Sequence, residues 1–291
     1  MYDCIIIGKG PAGISAAIYI SRSNLKCLVI GKSETALRKA KTIENYYGFE
    51  KPISGEELFR RGIKQAEEQN IEIKTDEVLD IEYGNETYIV KTVNSEYETK
   101  TIILATGKSR KSSNIAGEKE FEGKGISYCA ICDGFFFKNK NVAVIGSGEY
   151  ALHEAEVLRN VTDKVSIFTN GSQLPENRSV EIQNIIEGKI DSIRGEKKVE
   201  SIVLEDSRSI PVDGIFIAEG IASSSDFAKK LGIIVKNNNV VVNEDMETNV
   251  PGIYAAGDVR TKKLRQIVTA AADGANAVTS AEQYLSDLKR G

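Results

Sequence analysis

The chain has 291 residues, 41% hydrophobic and 27% charged, the make-up of a globular protein of about two domains. Its net charge of −4 excludes a whole-molecule basic footprint for nucleic acid, and the short basic runs at 108–111 (KSRK) and 262–265 (KKLR) read as solvated faces. No apolar run reaches the ~18 residues of a membrane span, and the N-terminus enters a strand directly, so a cytoplasmic location is expected, where four cysteines are not a disulfide scaffold.

In chain order, the apolar run at 3–7 predicts a buried strand, followed by the turn Gly8-Lys-Gly-Pro-Ala-Gly13, a helix over 14–21 and a strand over 26–30. The glycines of such a turn serve a tight bend, close approach to a pyrophosphate and close helix–strand packing, and the helix start supplies N–H groups for phosphates. The acidic residue expected after the second strand, for a ribose, is replaced by Gly31-Lys32-Ser33, with Glu34 slightly late. Residues 35–70 read as polar helix, broken by Tyr46-Tyr47-Gly48 and Pro52. Alternation over 71–93, turning at Gly84-Asn85, predicts strands that join 101–104 in a β-meander, which Ala105-Thr106-Gly107 closes with small residues.

A second unit opens near 108. It carries Cys129-Ala-Ile-Cys132-Asp133, a strand at 141–145, the turn Gly146-Ser-Gly148-Glu-Tyr-Ala151, a helix at 152–160 and a strand at 164–168. A short helix, a hairpin (199–204 and 209–212) and a parallel strand at 215–218 are expected next. From about 221 the chain returns to the first domain, where a strand ends in Gly257-Asp258 before an Ala-rich helix at 266–285. The expected fold is α/β, with two Rossmann-like three-layer domains: 1–107 and 221–291 form the host, and 108–220 is inserted in it.

A CxxC in a cysteine-poor protein beside βαβ units reads as a redox pair, so Cys129 and Cys132 are the expected catalytic residues. Asp133 is placed to act as general acid or base on the thiols; the alternative is a turn residue before Gly134. Cys4 and Cys27, on the first two strands, read as buried hydrophobes, and His153 as an ordinary helical residue. Without a second CxxC or a His cluster, no metal site is expected.

GKGPAG, ILATG (103–107), SYCAICDG (127–134), VAVIGSGEYA (142–151), and YAAGDV (254–259) followed by LRQIVTAAADGANA (264–277) resemble the low-molecular-weight thioredoxin reductases over nearly the whole chain. The resemblance implies a homodimeric FAD enzyme whose inserted domain rotates to carry electrons from the flavin to thioredoxin. It places Gly8, Gly10 and Gly13 at the FAD pyrophosphate, and assigns Pro11, Ala12, Lys32, Ala105, Thr106 and Gly107 to the cofactor site. Asn45 would lie beside the isoalloxazine and Val78 near the adenine. Asp258 would hydrogen-bond the ribitol–phosphate region, the N–H groups of Gln266 and Ile267 would lie near the flavin's pyrimidine edge, and Gly257 and Arg265 are also assigned to the cofactor site. It also makes Cys132 the sulfur nearest the flavin, and Cys129 the more exposed thiolate that attacks thioredoxin.

The departures bear on the electron donor. Where NADPH-dependent members carry His-Arg-Arg for the 2′-phosphate, this chain reads Ile167-Phe-Thr-Asn-Gly171, with Arg178 the nearest arginine downstream. Tyr150 replaces a small residue and is expected to crowd a pyrophosphate, the stretch 170–199 is short, and Glu34-Thr-Ala-Leu37 replaces Gly-Gly-Gln-Leu. Loss of one Arg–phosphate contact costs about 1.5–3 kcal/mol, roughly ten- to over a hundredfold in affinity. The pattern resembles that of the ferredoxin-dependent flavin thioredoxin reductases of clostridia, a resemblance that implies ferredoxin as electron donor and thioredoxin as acceptor. An NADPH enzyme in which Arg178 or a lysine holds the phosphate, and a non-catalytic flavin redox sensor, are the competing readings.

Overall fold

The computed structural model describes residues 1–107, 113–176 and 184–290; the basic run at 108–111 and Arg178 lie outside the described residues. The chain forms two compact units, Met1–Ser109 with Ser223–Gly291, and Arg110–Ala222.

The host begins with β1 (Tyr2–Ile7), α1 (Pro11–Ile20), β2 (Cys27–Ile30), α2 (Gly55–Glu67), β3 (Glu72–Lys74), β4 (Val78–Tyr83), β5 (Tyr88–Thr92) and β6 (Glu96–Leu104). β1 is central, parallel to β2 on one side and to β6 on the other, and its isoleucines are buried, as expected for a strand covered on both faces. The expected meander loses its first strand: β3 pairs in parallel with β2, Leu28 opposite Glu72, and only β4, β5 and β6 form the antiparallel run. Three residues of alternating polarity do not specify a partner's direction. The polar stretch at 35–70 is helical only at a 3-10 turn, Leu37–Lys39, and along α2. Between them the backbone is irregular, tied by a bridge from Ile43 to Ile53, and Ser54 starts α2 by accepting the Glu57 N–H at 3.1 Å.

The inserted unit contains β7 (Ile126–Ser127), α3 (Ala130–Asp133), β8 (Val142–Ile145), α4 (Glu149–Arg159), β9 (Val165–Phe168), β10 (Asn184–Ile186), β11 (Ile190–Arg194), β12 (Ser201–Leu204), β13 (Ser209–Pro211) and β14 (Gly214–Ile217). Five strands form a parallel sheet in the order β10-β9-β8-β14-β7, and β11-β12-β13 form an antiparallel sheet. Among the described residues, β10 and β11 occupy the stretch where a short helix was expected.

The chain then completes the host with α5 (Ser224–Lys230), β15 (Val235–Lys236), β16 (Asn239–Val240), β17 (Ile253–Ala255) and α6 (Ile267–Leu288). β17 pairs in parallel with the second half of β6, Ile253 opposite Ile102 and Ala255 opposite Leu104, whereas the first half of β6 pairs with β5. α6 lies directly on α1: a Cβ on Gly274 would stand 2.1 Å from the Ala12 carbonyl oxygen, so a glycine is needed there for the helices to approach.

Candidate functional site

The three glycines of the first turn face different surroundings. A Cβ on Gly8 would stand 2.2 Å from the Ala105 oxygen and one on Gly13 1.9 Å from the Gly8 oxygen, so both are fixed by packing against the chain itself. A Cβ on Gly10 would meet nothing within 4 Å. The turn is therefore tight on its inner side and open at Gly10, the N-cap of α1. Pro11 follows at the first helical position, where its missing N–H costs nothing, and the first-turn N–H groups and dipole of α1 favour an anion. A cleft of about 400 Å³ opens here, lined by Lys9, Gly10, Pro11, Leu37, Tyr46 and Ile267 among others.

Distant segments meet at this turn. The Asn45 amide donates to the Gln266 side-chain oxygen at 2.9 Å, across 221 residues of sequence. Gln266 is the N-cap of α6, and its N–H donates to the Thr269 hydroxyl at 3.2 Å. The Thr106 hydroxyl lies 2.7 Å from that of Ser224, and a Cβ on Gly257 would meet the Ala12 Cβ at 2.9 Å. Asp258 lies in the 3-10 turn Gly257–Val259, its carbonyl accepting from Arg265 at 3.4 Å while Arg265 also donates to Asn239 at 2.8 Å. Lys32 follows β2, at the same end of the parallel strands as the turn after β1, and pairs with Glu77, beside Val78 at the start of β4.

Sequence reasoning missed the residue that holds the Gly257 turn. Asp273 on α6 accepts from the Gly257 N–H at 3.0 Å, from Arg260 at 2.6 and 2.9 Å and from Lys262 at 2.6 Å. Burial pushes the Asp273 carboxyl up, but the hydrogen bonds and charges of Arg260 and Lys262 outweigh it and hold it below the usual carboxylate range. The Lys262 side chain is thereby buried, so it departs from the solvated face expected of the run at 262–265, whereas Lys263 and Leu264 are exposed. An acid inside an otherwise Ala-rich helix was the available signal.

In the inserted unit, Cys129 and Cys132 form a disulfide with Cα atoms 5.3 Å apart. Cys129 is the N-cap of α3, and its Sγ accepts the Cys132 N–H at 3.2 Å. Ser127 links the neighbours: its hydroxyl accepts the Cys129 N–H at 3.1 Å and donates to the Asp133 carboxylate at 2.6 Å. Glu154, 1% exposed on α4, accepts the Ala130 N–H at 2.8 Å. Asp133 is thus connected to the dithiol through Ser127, and neither Ser127 nor Glu154 was singled out from sequence. The exposures reverse the expectation: Cys129 is only 3% exposed, whereas Cys132 is exposed. Cys129 caps the helix from its buried base, and Cys132, three residues on, lies on the outer side of the turn. Cys4 and Cys27 are buried register partners on β1 and β2, and no metal-binding cluster exists among the described residues.

The second glycine turn is less open than the first. A Cβ on Gly146 would stand 2.3 Å from the Ala218 oxygen, and one on Gly148 would meet the Gly220 oxygen at 3.2 Å, where Gly10 meets nothing. Tyr150 does not stand over the turn as expected; it is fully buried on α4, so the crowding comes from the Gly220 carbonyl instead. Beyond β9, Asn170 donates to Glu219 at 3.1 Å and accepts the Ile190 N–H at 2.9 Å. A carboxylate therefore stands beside Asn170, just past the end of β9. The stem of Lys189 runs beside Gly171, whose Cβ would meet its Cγ at 2.7 Å.

A host fold with an open glycine turn, and an inserted fold that carries a redox-capable disulfide, together define a dinucleotide-dependent disulfide oxidoreductase. Residues 2–274 match the family model of the pyridine nucleotide-disulphide oxidoreductases. The chain is 38% identical to a thioredoxin reductase of Listeria innocua over 305 residues, covering 99% of this chain and 95% of that relative. Among solved structures it is similar to the atypical thioredoxin reductase TRi of Desulfovibrio vulgaris Hildenborough (36% identity, TM-score 0.92, 99% of each chain). It is also similar to a ferredoxin-flavin thioredoxin reductase of Clostridium acetobutylicum (32% identity, TM-score 0.73, 98% of each chain). The chain belongs to the thioredoxin reductase family of these oxidoreductases. That family consists of FAD-binding flavoproteins, and the first turn fits the group, with Gly10 leaving room for a pyrophosphate at the start of α1.

Proposed function

We propose that the protein reduces the disulfide of thioredoxin through Cys129 and Cys132, and that its electrons come from reduced ferredoxin rather than NADPH. The observation that carries the choice of donor is the state of the second nucleotide turn. Its approach is narrowed by the Gly220 carbonyl, and the strand end beyond it presents Asn170 bonded to Glu219. The Clostridium relative, named for ferredoxin, supports the same reading. An apolar rim beside the dithiol suits a protein substrate: Ile131, Phe135 and Phe136 are 49, 77 and 69% exposed. The runner-up, an NADPH enzyme, is favoured by one feature, Lys189 beside Gly171. Anaerobic titration separates the two. Reduced ferredoxin is expected to bleach the flavin band within seconds and NADPH to leave it unchanged; rapid bleaching by NADPH overturns the ferredoxin assignment.

Bound FAD would supply the electron pair that opens the disulfide. The chain's own residues then manage the thiols. Cys132 presents the exposed sulfur, and the Cys132 N–H stabilises thiolate charge on Cys129 Sγ. The Cys129 thiolate attacks one sulfur of oxidised thioredoxin, forming a mixed disulfide and releasing the other sulfur as a thiolate. The Cys132 thiolate then attacks Cys129 Sγ, restoring the Cys129–Cys132 bond and releasing the second thioredoxin thiolate. Asp133, held by Ser127, moves protons between the thiols and solvent. Since Cys129 is buried here, the first attack requires a rearrangement that uncovers it, for which the proposed rotation of the inserted unit would serve. The enzyme is proposed to work as a cytoplasmic homodimer. Sedimentation equilibrium is expected to give twice the chain mass, and a monomer at micromolar concentration counts against it.

A further inference from the structure

The acid expected after β2 for the ribose of a bound dinucleotide is missing from the sequence, and the structure brings two other groups to that place. Lys9, the variable residue of the first glycine turn, lies across the end of β2: a Cβ on Gly31 would stand 3.2 Å from its backbone nitrogen and 3.3 Å from its Cγ. Its ammonium reaches the end of the next strand and donates to the Thr75 hydroxyl at 2.7 Å. Glu77 follows two residues later. β2 and β3 run in register, Ile30 opposite Lys74, so Gly31 and Lys32 emerge beside Thr75, Asp76 and Glu77.

Both groups are buried and under-used. Lys9 is 5% exposed, and its partner Thr75 is a neutral hydroxyl that uses one of three ammonium protons. Burial, and more weakly the Arg38 charge, lower its pKa, as befits a cation without a counter-ion. Glu77 is 7% exposed; Lys32 holds one carboxylate oxygen, and the other, Oε1, is buried with no hydrogen-bond partner. Leaving a charged donor and a charged acceptor buried in this state costs stability unless a ligand completes them.

We propose that Lys9 and Glu77 together bind the adenosine ribose of the dinucleotide, Lys9 donating to and Glu77 Oε1 accepting from its two neighbouring hydroxyls. A vicinal diol offers both lone pairs and protons, and a donor beside an acceptor is the complement it needs. The usual device, one acid after β2, accepts only; here the two functions are divided between the glycine turn and the residue after β3. The inference rests on FAD occupying the first turn, which a yellow purified protein tests by itself.

The experiment compares FAD with flavin 2′,3′-dideoxyadenine dinucleotide, by fluorescence titration of flavin-stripped protein and by the rate of flavin release from the holoprotein. Wild type is expected to bind FAD at least about tenfold more tightly than the dideoxy analogue, the loss of hydrogen bonds to charged partners. Lys9→Met and Glu77→Leu are each expected to reduce that preference to about twofold or less, while binding of the analogue itself stays within about threefold of wild type. Lys9→Met removes an uncompensated buried charge, so its flavin-free melting temperature is expected to hold or rise. A wild type that does not discriminate, or variants that keep the full preference, overturn the proposal even where the protein is yellow.

Discussion

Cys129→Ser and Cys132→Ser are each expected to leave the protein yellow and folded while thioredoxin reduction falls by about four orders of magnitude or more, because a serine hydroxyl neither accepts the electron pair nor forms a mixed disulfide. Folding should survive: the disulfide spans a separation of only three residues, so it restrains the unfolded chain little. The two variants differ in what they trap. Cys132→Ser retains Cys129 and should form a stable mixed disulfide with a single-cysteine thioredoxin supplied as its thionitrobenzoate disulfide, thionitrobenzoate leaving as the thiolate; Cys129→Ser should not. Non-reducing electrophoresis reads the difference, and trapping by Cys129→Ser alone would reverse the assigned order of attack. Asp133→Asn keeps a partner for Ser127 but loses the titrating group, and should slow turnover by about a hundredfold with the flavin spectrum unchanged.

Asp273→Ala is expected to destabilise the host unit by about 3–5 kcal/mol, the cost of breaking a buried ion pair by removing one partner. The side chains involved are 5% exposed at Asp273, 6% at Lys262 and 19% at Arg260, so solvent screens them weakly. The variant leaves two cations without their carboxylate, and the Gly257 N–H without its acceptor. Urea unfolding should show the loss, and FAD should be released faster, since the same turn carries Asp258. The pH dependence has a fixed sign. The Asp273 carboxyl is held below its unfolded value, so its contribution is fully present above about pH 3.9. It is lost as the pH falls through the lower folded-state value. Wild-type stability should drop more steeply than that of the variant below about pH 4. An unfolding midpoint that Asp273→Ala leaves unchanged at neutral pH would remove the ion cluster from the list of supports.

The parts of the site visible in the sequence are those built from near neighbours. GKGPAG lies within six residues, and the geometry at Gly8, Gly10 and Gly13 follows the three tasks such spacing implies. The CxxC pair was legible for the same reason. Its exposure was not, because that depends on what packs around each sulfur, which no local pattern specifies. Pairs such as Asn45–Gln266 and Lys32–Glu77 join segments far apart in sequence, so no local pattern announces them. At the second turn, the missing arginines were plain, but the obstruction was assigned to Tyr150 because bulk is visible in a sequence and a carbonyl's direction is not. The direction of β3 is not legible in its three residues, because strand direction is decided by the neighbour across the sheet.

The way β6 is shared carries a consequence for how the protein is made. Its second half is flanked by β17, and α1 is covered by α6, so the host needs chain from both sides of the insert, whereas the insert is one unbroken run. On a ribosome the insert's parallel sheet has all its strands once Ile217 has emerged. The host must then wait for about 70 more residues, or roughly 3–14 s at ordinary translation rates, with the apolar edge of β6 and one face of α1 uncovered. Nascent chains halted within that window should therefore present a protease-resistant insert beside a host that chaperones still recognise.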